Sequence, residues 1–383
     1  MAKRPAPSLA DTLPNQIDVD RLVPDNQDTV ILTRPFPDAD DAFADVRRGR
    51  LESLPTIGNI SRYDLKYTLG EGGWGTVYAA QDPLLSRAVA IKTLHVDPTI
   101  TDPERFKALF LNEARAAGGL SHPQIVTVYD AGTSEQGPYI AMELLRGKDL
   151  RQLLAQGWRP TSSQAALIVR RVADALSYAH HKGVIHRDIK PANIFMTGRT
   201  QPRVLDFGIA RIRQVESLAQ RDDPQSRFHE LVGGSPYYMS PEQIRRLPVD
   251  RRVDVYALGV VLYELLTGQR PFGGNSLEEI YDAVLSRSLP MVHEINPEVP
   301  RALSEIVAQA MHRDRDLRTR SARRLSQALR EWVENADVAR QASPKSAKAR
   351  QGMSSGAFKR GLRWLAAFGW VLALVAVAWS MRH

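Results

Sequence analysis

The order in which two periodicities follow each other narrows the fold more than any other feature of this chain. From Tyr63 the runs YDLKYTLG, TVYAAQD and AVAIKTL alternate in the manner of strands. Further on, SSQAALIVRRVADALSYAHHKG and VDVYALGVVLYELLTG repeat their apolar residues at helical spacing. Period two lines one face of a strand and period 3.6 one stripe of a helix, so the two patterns do not interchange. A strand-rich stretch followed by a helix-rich one, with no internal repeat, predicts two lobes in one α+β domain over residues 61–335. The small lobe would be rich in β-strands and the larger one helical.

The flanks read differently. Residues 1–60 are rich in Pro and Asp, and between Asp11 and Asp45 acidic residues outnumber Arg21 and Arg34. This composition predicts an acidic, disordered arm. Lys3 and Arg4 are followed by Pro5, Pro7, Asp11, Pro14 and Asn15 instead of an apolar segment, so no signal peptide is expected. Residues 336–363 are small, polar and basic, with Arg340, Lys345, Lys348, Arg350, Lys359, Arg360 and Arg363 and no acidic residue beyond Asp337. They read as a juxtamembrane linker.

Residues 364–381 contain neither charge nor proline. As a helix they would span ~27 Å, close to a bilayer's hydrocarbon core, with Trp364 and Trp379 near the two interfaces. The alternative is a buried C-terminal helix, but the apolar residues run all round and every face would need cover. Basic residues before Trp364 far outnumber Arg382 after it, which predicts that the folded domain faces the cytoplasm, on a single-pass anchor in the cell (inner) membrane.

Charge and cysteine content bear on function. The net charge of +8 comes from 51 Lys and Arg against 43 Asp and Glu. Its excess lies beside the apolar segment, which favours an anionic membrane surface as partner and argues against nucleic acid; a merely solvated linker is the plainer reading of the same run. The absence of cysteine excludes disulfides, thiolate zinc sites and cysteine nucleophiles.

Three clusters carry chemistry. Gly70, Gly72 and Gly75 fall between two strand-like runs, hence in a hairpin. It is either a flexible turn or a lid whose backbone N–H groups lie over a polyphosphate. Lys92 sits in the apolar run VAIK, where a cation needs a partner. An α/β-phosphate together with Glu113, on a predicted helix over Pro103–Ala117, would supply one, whereas a strand-edge lysine in solvent would need none. The third cluster is HRDIKPAN, from His186 to Asn193, followed by Asp206-Phe207-Gly208.

Together these motifs resemble the catalytic core of the bacterial eukaryotic-like serine/threonine protein kinases, over roughly residues 63–335. The resemblance implies a two-lobed kinase fold, ATP as phosphoryl donor and Mg²⁺, or Mn²⁺ in its place, held by Asn193 and Asp206. It implies that Asp188 accepts or orients the substrate hydroxyl and that Lys190 and Lys92 meet the phosphates. Met142 looks like the gatekeeper, Glu143 and Leu145 like the adenine hinge, Val77 and Ala90 like its roof and Phe195 like its floor. Ser240-Pro241-Glu242 stands where the family has Ala-Pro-Glu, with Arg318 its ion-pair partner and Asp254 a buried carboxylate. As partners it implies protein substrates, a second kinase copy for trans-autophosphorylation and a phosphothreonine-binding protein.

Arg187 implies control by loop phosphorylation. The usual threonines are missing before Gly234, which leaves Ser226 and then Ser217 as expected phosphosites, with Glu230 as a built-in substitute. A catalytically dead scaffold would lack one of Lys92, Glu113, Asp188, Asn193 or Asp206, and all are present. A small-molecule kinase would not need Lys190 or the Ser-Pro-Glu platform.

Overall fold

Tyr63 to Glu143 build an antiparallel sheet because each strand-like run buries alternate residues on opposite faces. The computed structural model describes residues 51–72, 75–94, 103–207 and 236–342. The chain divides into two compact units, residues 1–330 and 331–383; of the second only residues 331–342 are described, and they are helical.

The first sheet contains β1 (Gly58–Ile60), β2 (Tyr63–Gly72), β3 (Gly75–Asp82), β4 (Arg87–Thr93), β5 (Val128–Ser134) and β6 (Gly137–Glu143). Their order is β1-β2-β3-β4-β6-β5, antiparallel throughout. Val77, Ala79 and Ala90 pack in one buried cluster with Phe110 and Ala114 of α1 (Pro103–Gly118), while Ala80, Val89 and Ile91 pack in another with Tyr63 and Tyr139. Alternate side chains of β3 and β4 thus enter separate clusters, as strand geometry requires. β2 and β3 form the expected glycine hairpin, with Gly72 opposite Gly75.

Two elements extend the folded lobe into residues read from sequence as arm. Leu51 opens a 3₁₀ turn and is buried, and Ile60 ends β1 without exposure. Lys66 fastens this segment by donating to the Leu54 carbonyl at 3.1 Å and the Thr56 hydroxyl at 3.0 Å. The Pro and Asp content of the arm as a whole hid these two apolar anchors.

The second lobe is organised on α5 (Arg252–Thr267), buried at every position from Val253 to Tyr263 and ended by Gly268 in the left-handed region, φ 73°. α3 (Ser162–His181) packs on it and begins with a capping box between Thr161 and Gln164. The small sheet β7 (Lys148–Asp149), β8 (Ile194–Gly198) and β9 (Gln201–Val204) lies beside α2 (Leu150–Ala155). α4 (Pro241–Ile244), α6 (Leu277–Ser286), α7 (Val292–Ile295), α8 (Arg301–Ala310) and α9 (Ala322–Ala342) complete the described chain.

α9 runs past 335 into residues read as linker. That stretch holds no glycine or proline before Pro344, so nothing in it stops a helix. No helix among the described residues is long and apolar enough to cross a membrane, and residues 364–381 lie outside them. So do Ser217, Ser226 and Glu230.

Candidate active site

Residues of both lobes meet in one apolar cluster. Val77 of β3, Ala90 of β4, Met142 of β6, Leu145 and Phe195 of β8 share one buried cluster, together with Leu69 and Leu205, which the sequence reading left unnamed. At the hinge the Glu143 N–H donates to the Thr127 carbonyl at 2.9 Å, and its carboxylate pairs with Arg203 of β9. The Leu145 N–H has no acceptor among the described residues, so of the two hinge amides it is the one with a hydrogen bond to give.

Gly75 has a packing role of its own: at φ 145° a Cβ there would lie 1.8 Å from the Thr93 carbonyl oxygen. The Thr76 N–H and the Thr93 hydroxyl bond just beside it, at 3.2 Å. The third glycine of the motif therefore lets β3 start hard against the end of β4.

Lys92 is 3% exposed, and its Nζ donates to Asp206 Oδ2 at 2.7 Å. This corrects the expected pairing with Glu113, which is half-buried on α1 and has a polar contact of its own. Asp206 follows β9 with its backbone in the left-handed region at φ 58°. Its buried carboxylate thereby reaches the buried ammonium. Each charge removes the other's desolvation cost, and so the two stay together.

Residues 186–193 connect α3 to β8 and are held by a buried frame. His186 is unexposed: its Nε2 donates to the Leu205 carbonyl at 2.7 Å and its Nδ1 accepts from the Asp188 N–H at 3.2 Å. The ring also packs on Phe207 with centroids 4.7 Å apart. Asp254 of α5 accepts from the N–H groups of His186 and Arg187 at 2.9 and 2.7 Å and from His180 Nε2 at 2.8 Å. Burial alone would raise the Asp254 carboxyl, but His180 and His186 outweigh it and hold the carboxyl below its ordinary value. These charge-assisted bonds offset the cost of Arg187 at φ 67°, a left-handed backbone unusual for a long side chain. Gln243 adds a bond from its amide to the Arg187 carbonyl at 3.0 Å.

Within this frame the candidate residues meet. Lys190 Nζ lies 3.2 Å from Asp188 Oδ2, and Asn193 Nδ2 donates to the Asp188 carbonyl at 2.7 Å and its carboxylate at 3.2 Å. The Leu205 N–H donates to the Asn193 carbonyl at 2.9 Å, tying the chain ahead of Asp206 to the loop that bears Asp188. Asp206 and Asn193 are a buried carboxylate and a carboxamide, hard oxygen donors of the kind a divalent ion such as Mg²⁺ accepts when phosphate and water complete its shell. The Asn193 nitrogen is turned to Asp188, which puts its oxygen on the other side of the amide. The donor set fits such an ion.

A family model described as the protein kinase domain matches residues 63–332. The chain belongs to the protein kinase family. Kinases of this family use ATP and a divalent metal ion. Among curated relatives, a probable serine/threonine-protein kinase of Corynebacterium efficiens is 38% identical over 298 residues, covering 72% of this chain and 44% of the relative. Serine/threonine-protein kinase PrkC of Bacillus subtilis is 36% identical over 253 residues, covering 66% and 38%. The chain thus spans less than half the length of these relatives. The solved kinase domain of Mycobacterium tuberculosis PknI is 27% identical at a TM-score of 0.56, covering 73% of this chain and 98% of that one.

A second buried ion pair links α4 to the segment before α9. Arg318, 1% exposed, forks onto Glu242 with bonds of 2.6 and 2.9 Å and donates to the His312 carbonyl at 2.9 Å. Burial would raise the Glu242 carboxyl, and the Arg318 bonds reverse that and hold it low. Nearby, the Tyr238 hydroxyl donates to Glu264 at 2.7 Å, a link that sequence reading missed because the two lie in separate motifs.

Proposed function

We propose that this chain is a protein serine/threonine kinase that transfers the γ-phosphate of ATP, with Mg²⁺, to hydroxyls of proteins and of its own copies. The observation that carries the reading is that Lys92 pairs with Asp206 while Lys190 and Asn193 pair with Asp188, the two groups linked by the Leu205 N–H on the Asn193 carbonyl, with an apolar cluster drawn from both lobes that includes Leu205. The apolar cluster would hold the adenine, with the Leu145 N–H donating to it. Lys92 would exchange part of its contact with Asp206 for the α/β-phosphates. Asp188 would orient the incoming hydroxyl and take its proton onto a carboxylate oxygen, while Lys190 would meet charge developing on the transferred group. A divalent ion held by Asp206 and Asn193 would neutralise phosphate oxygens. Serine or threonine as the acceptor is supported by the names of the relatives and by Lys190.

The reading extends to location. Residues 364–381 would anchor the chain in a membrane, with the basic residues of 336–363 on the cytoplasmic side against anionic lipid. Ser226, and then Ser217, would take phosphate from a neighbouring copy, and the added charge would meet Arg187.

Lys92→Met and Asp188→Ala should each lower phosphoryl transfer to a protein substrate by about 100-fold or more with little change in melting temperature. Incorporation of labelled phosphate by Asp188→Ala at near the wild-type rate would overturn the assignment.

A further inference from the structure

The helical lobe carries a basic cavity of about 930 Å³ that the phosphoryl-transfer reading does not use, walled by α3, the start of α5 and the first turns of α9. Its cations are Arg251, Arg323 and Arg330, all exposed and none with a carboxylate in ion-pair range among the described residues. The one carboxylate in the wall, Asp174, is engaged: Oδ1 accepts from the Ser326 hydroxyl at 2.5 Å and Oδ2 lies 3.8 Å from Arg170. Among the described residues, therefore, no carboxylate compensates the cavity's positive charge.

A further feature points the same way. Ser321, also in the wall, caps α9 by accepting from the Arg324 N–H at 3.3 Å, so the positive end of a long helix opens here. That first turn carries no acidic residue and instead bears arginines, an arrangement that opposes the helix dipole and costs stability unless an anion joins them.

We propose that this cavity binds a small ligand bearing two or more phosphate groups. Arg323 and Arg330 lie seven residues apart on one face of α9, about 10 Å along the helix axis, too far for one phosphate to bridge. The volume falls in the range of small-molecule sites, about 300–1,000 Å³. Arg251 lines the same space from the residue just before α5, so cations flank the cavity from two sides.

The test is titration calorimetry on the full chain with the nucleotide cleft saturated by adenosine 5′-(β,γ-imido)triphosphate. The probes are tripolyphosphate, orthophosphate and a singly phosphorylated serine peptide. Tripolyphosphate should bind at one site and more tightly than either of the others. Arg323→Glu and Arg330→Glu, and Arg251→Gln from outside the helix, should each weaken it roughly tenfold or more, the loss expected for a charge-assisted contact. Arg301→Glu, exposed on α8, should leave it unchanged. The proposal is overturned if tripolyphosphate shows no saturable binding, or if the cavity variants bind it like wild type. It is equally overturned if Arg301→Glu weakens binding as much as they do, which would mean general attraction to a basic chain, or if the phosphopeptide binds more tightly.

Discussion

Glu242 and Arg318 form a pair whose worth depends on both partners staying. Arg318 is enclosed and its guanidinium serves Glu242 and backbone carbonyls together, so removing one charge strands the other in a medium that cannot solvate it. Arg318→Met should therefore cost about 3–5 kcal/mol in urea unfolding, and Glu242→Gln combined with it should cost clearly less than the two single changes added. Additive costs would show that the bonds matter less than the packing around them. Because the folded carboxyl lies below its ordinary value, the stability it contributes is present above that value, 4.5, and is lost as pH falls through the folded value. This pair was legible in sequence through its motif, as was the buried role of Asp254. The partner of Lys92 was not. The choice between Glu113 and Asp206 depends on a left-handed backbone at Asp206, which no pattern of residue types reports.

Among elements, α2 offers the clearest pH test. Asp149 caps it, accepting from the Gln152 N–H at 2.9 Å while Gln152 answers to the Asp149 N–H. Burial raises its carboxyl to about 6, only partly offset by Arg151 and the cap bond. A raised carboxyl means that the folded state keeps a proton the unfolded state has released, so stability falls as pH rises from about 4 to 6 and is level above. The gap from the ordinary 3.8 corresponds to roughly 3 kcal/mol. Asp149→Asn keeps a capping oxygen but cannot titrate, so its melting temperature should gain on wild type as pH rises from 4 to 6. A constant difference across that range would refute the argument. A second element test is Gly75→Ala, which should break the start of β3 against Thr93 and raise the KM for ATP in steady-state kinetics. The hairpin was readable because glycines interrupted two alternating runs. The close approach that makes Gly75 obligatory was not, since it involves Thr93, eighteen residues on in another strand.

At the scale of the whole molecule, the two lobes were visible in the change of period, and their joining was not, because it runs through Val204, which exchanges backbone bonds with Gln124 and Val126, and through the Arg203–Glu143 pair, all between segments far apart in sequence. The same scale holds the proposal about membrane attachment. The groups of the active site all lie before residue 207, and α9 ends at Ala342, so nothing assigned to catalysis lies in residues 343–383. A chain ended after Ala342 should phosphorylate a soluble peptide at the rate of the full chain. It should also leave the membrane fraction, since the only uncharged 18-residue run has gone. Phosphorylation between copies should respond differently. Confinement to a surface raises the local concentration of neighbours, so the full chain in vesicles should modify its copies at a rate that barely depends on dilution. The shortened chain, free in solution, should slow in proportion as it is diluted. Flotation on lipid gradients and a dilution series with labelled ATP separate the possibilities. If the shortened chain still floats with anionic vesicles, residues before 343 hold it there. If it is folded yet inert at every concentration, the tail acts on the catalytic domain itself and the anchor reading fails as a full account.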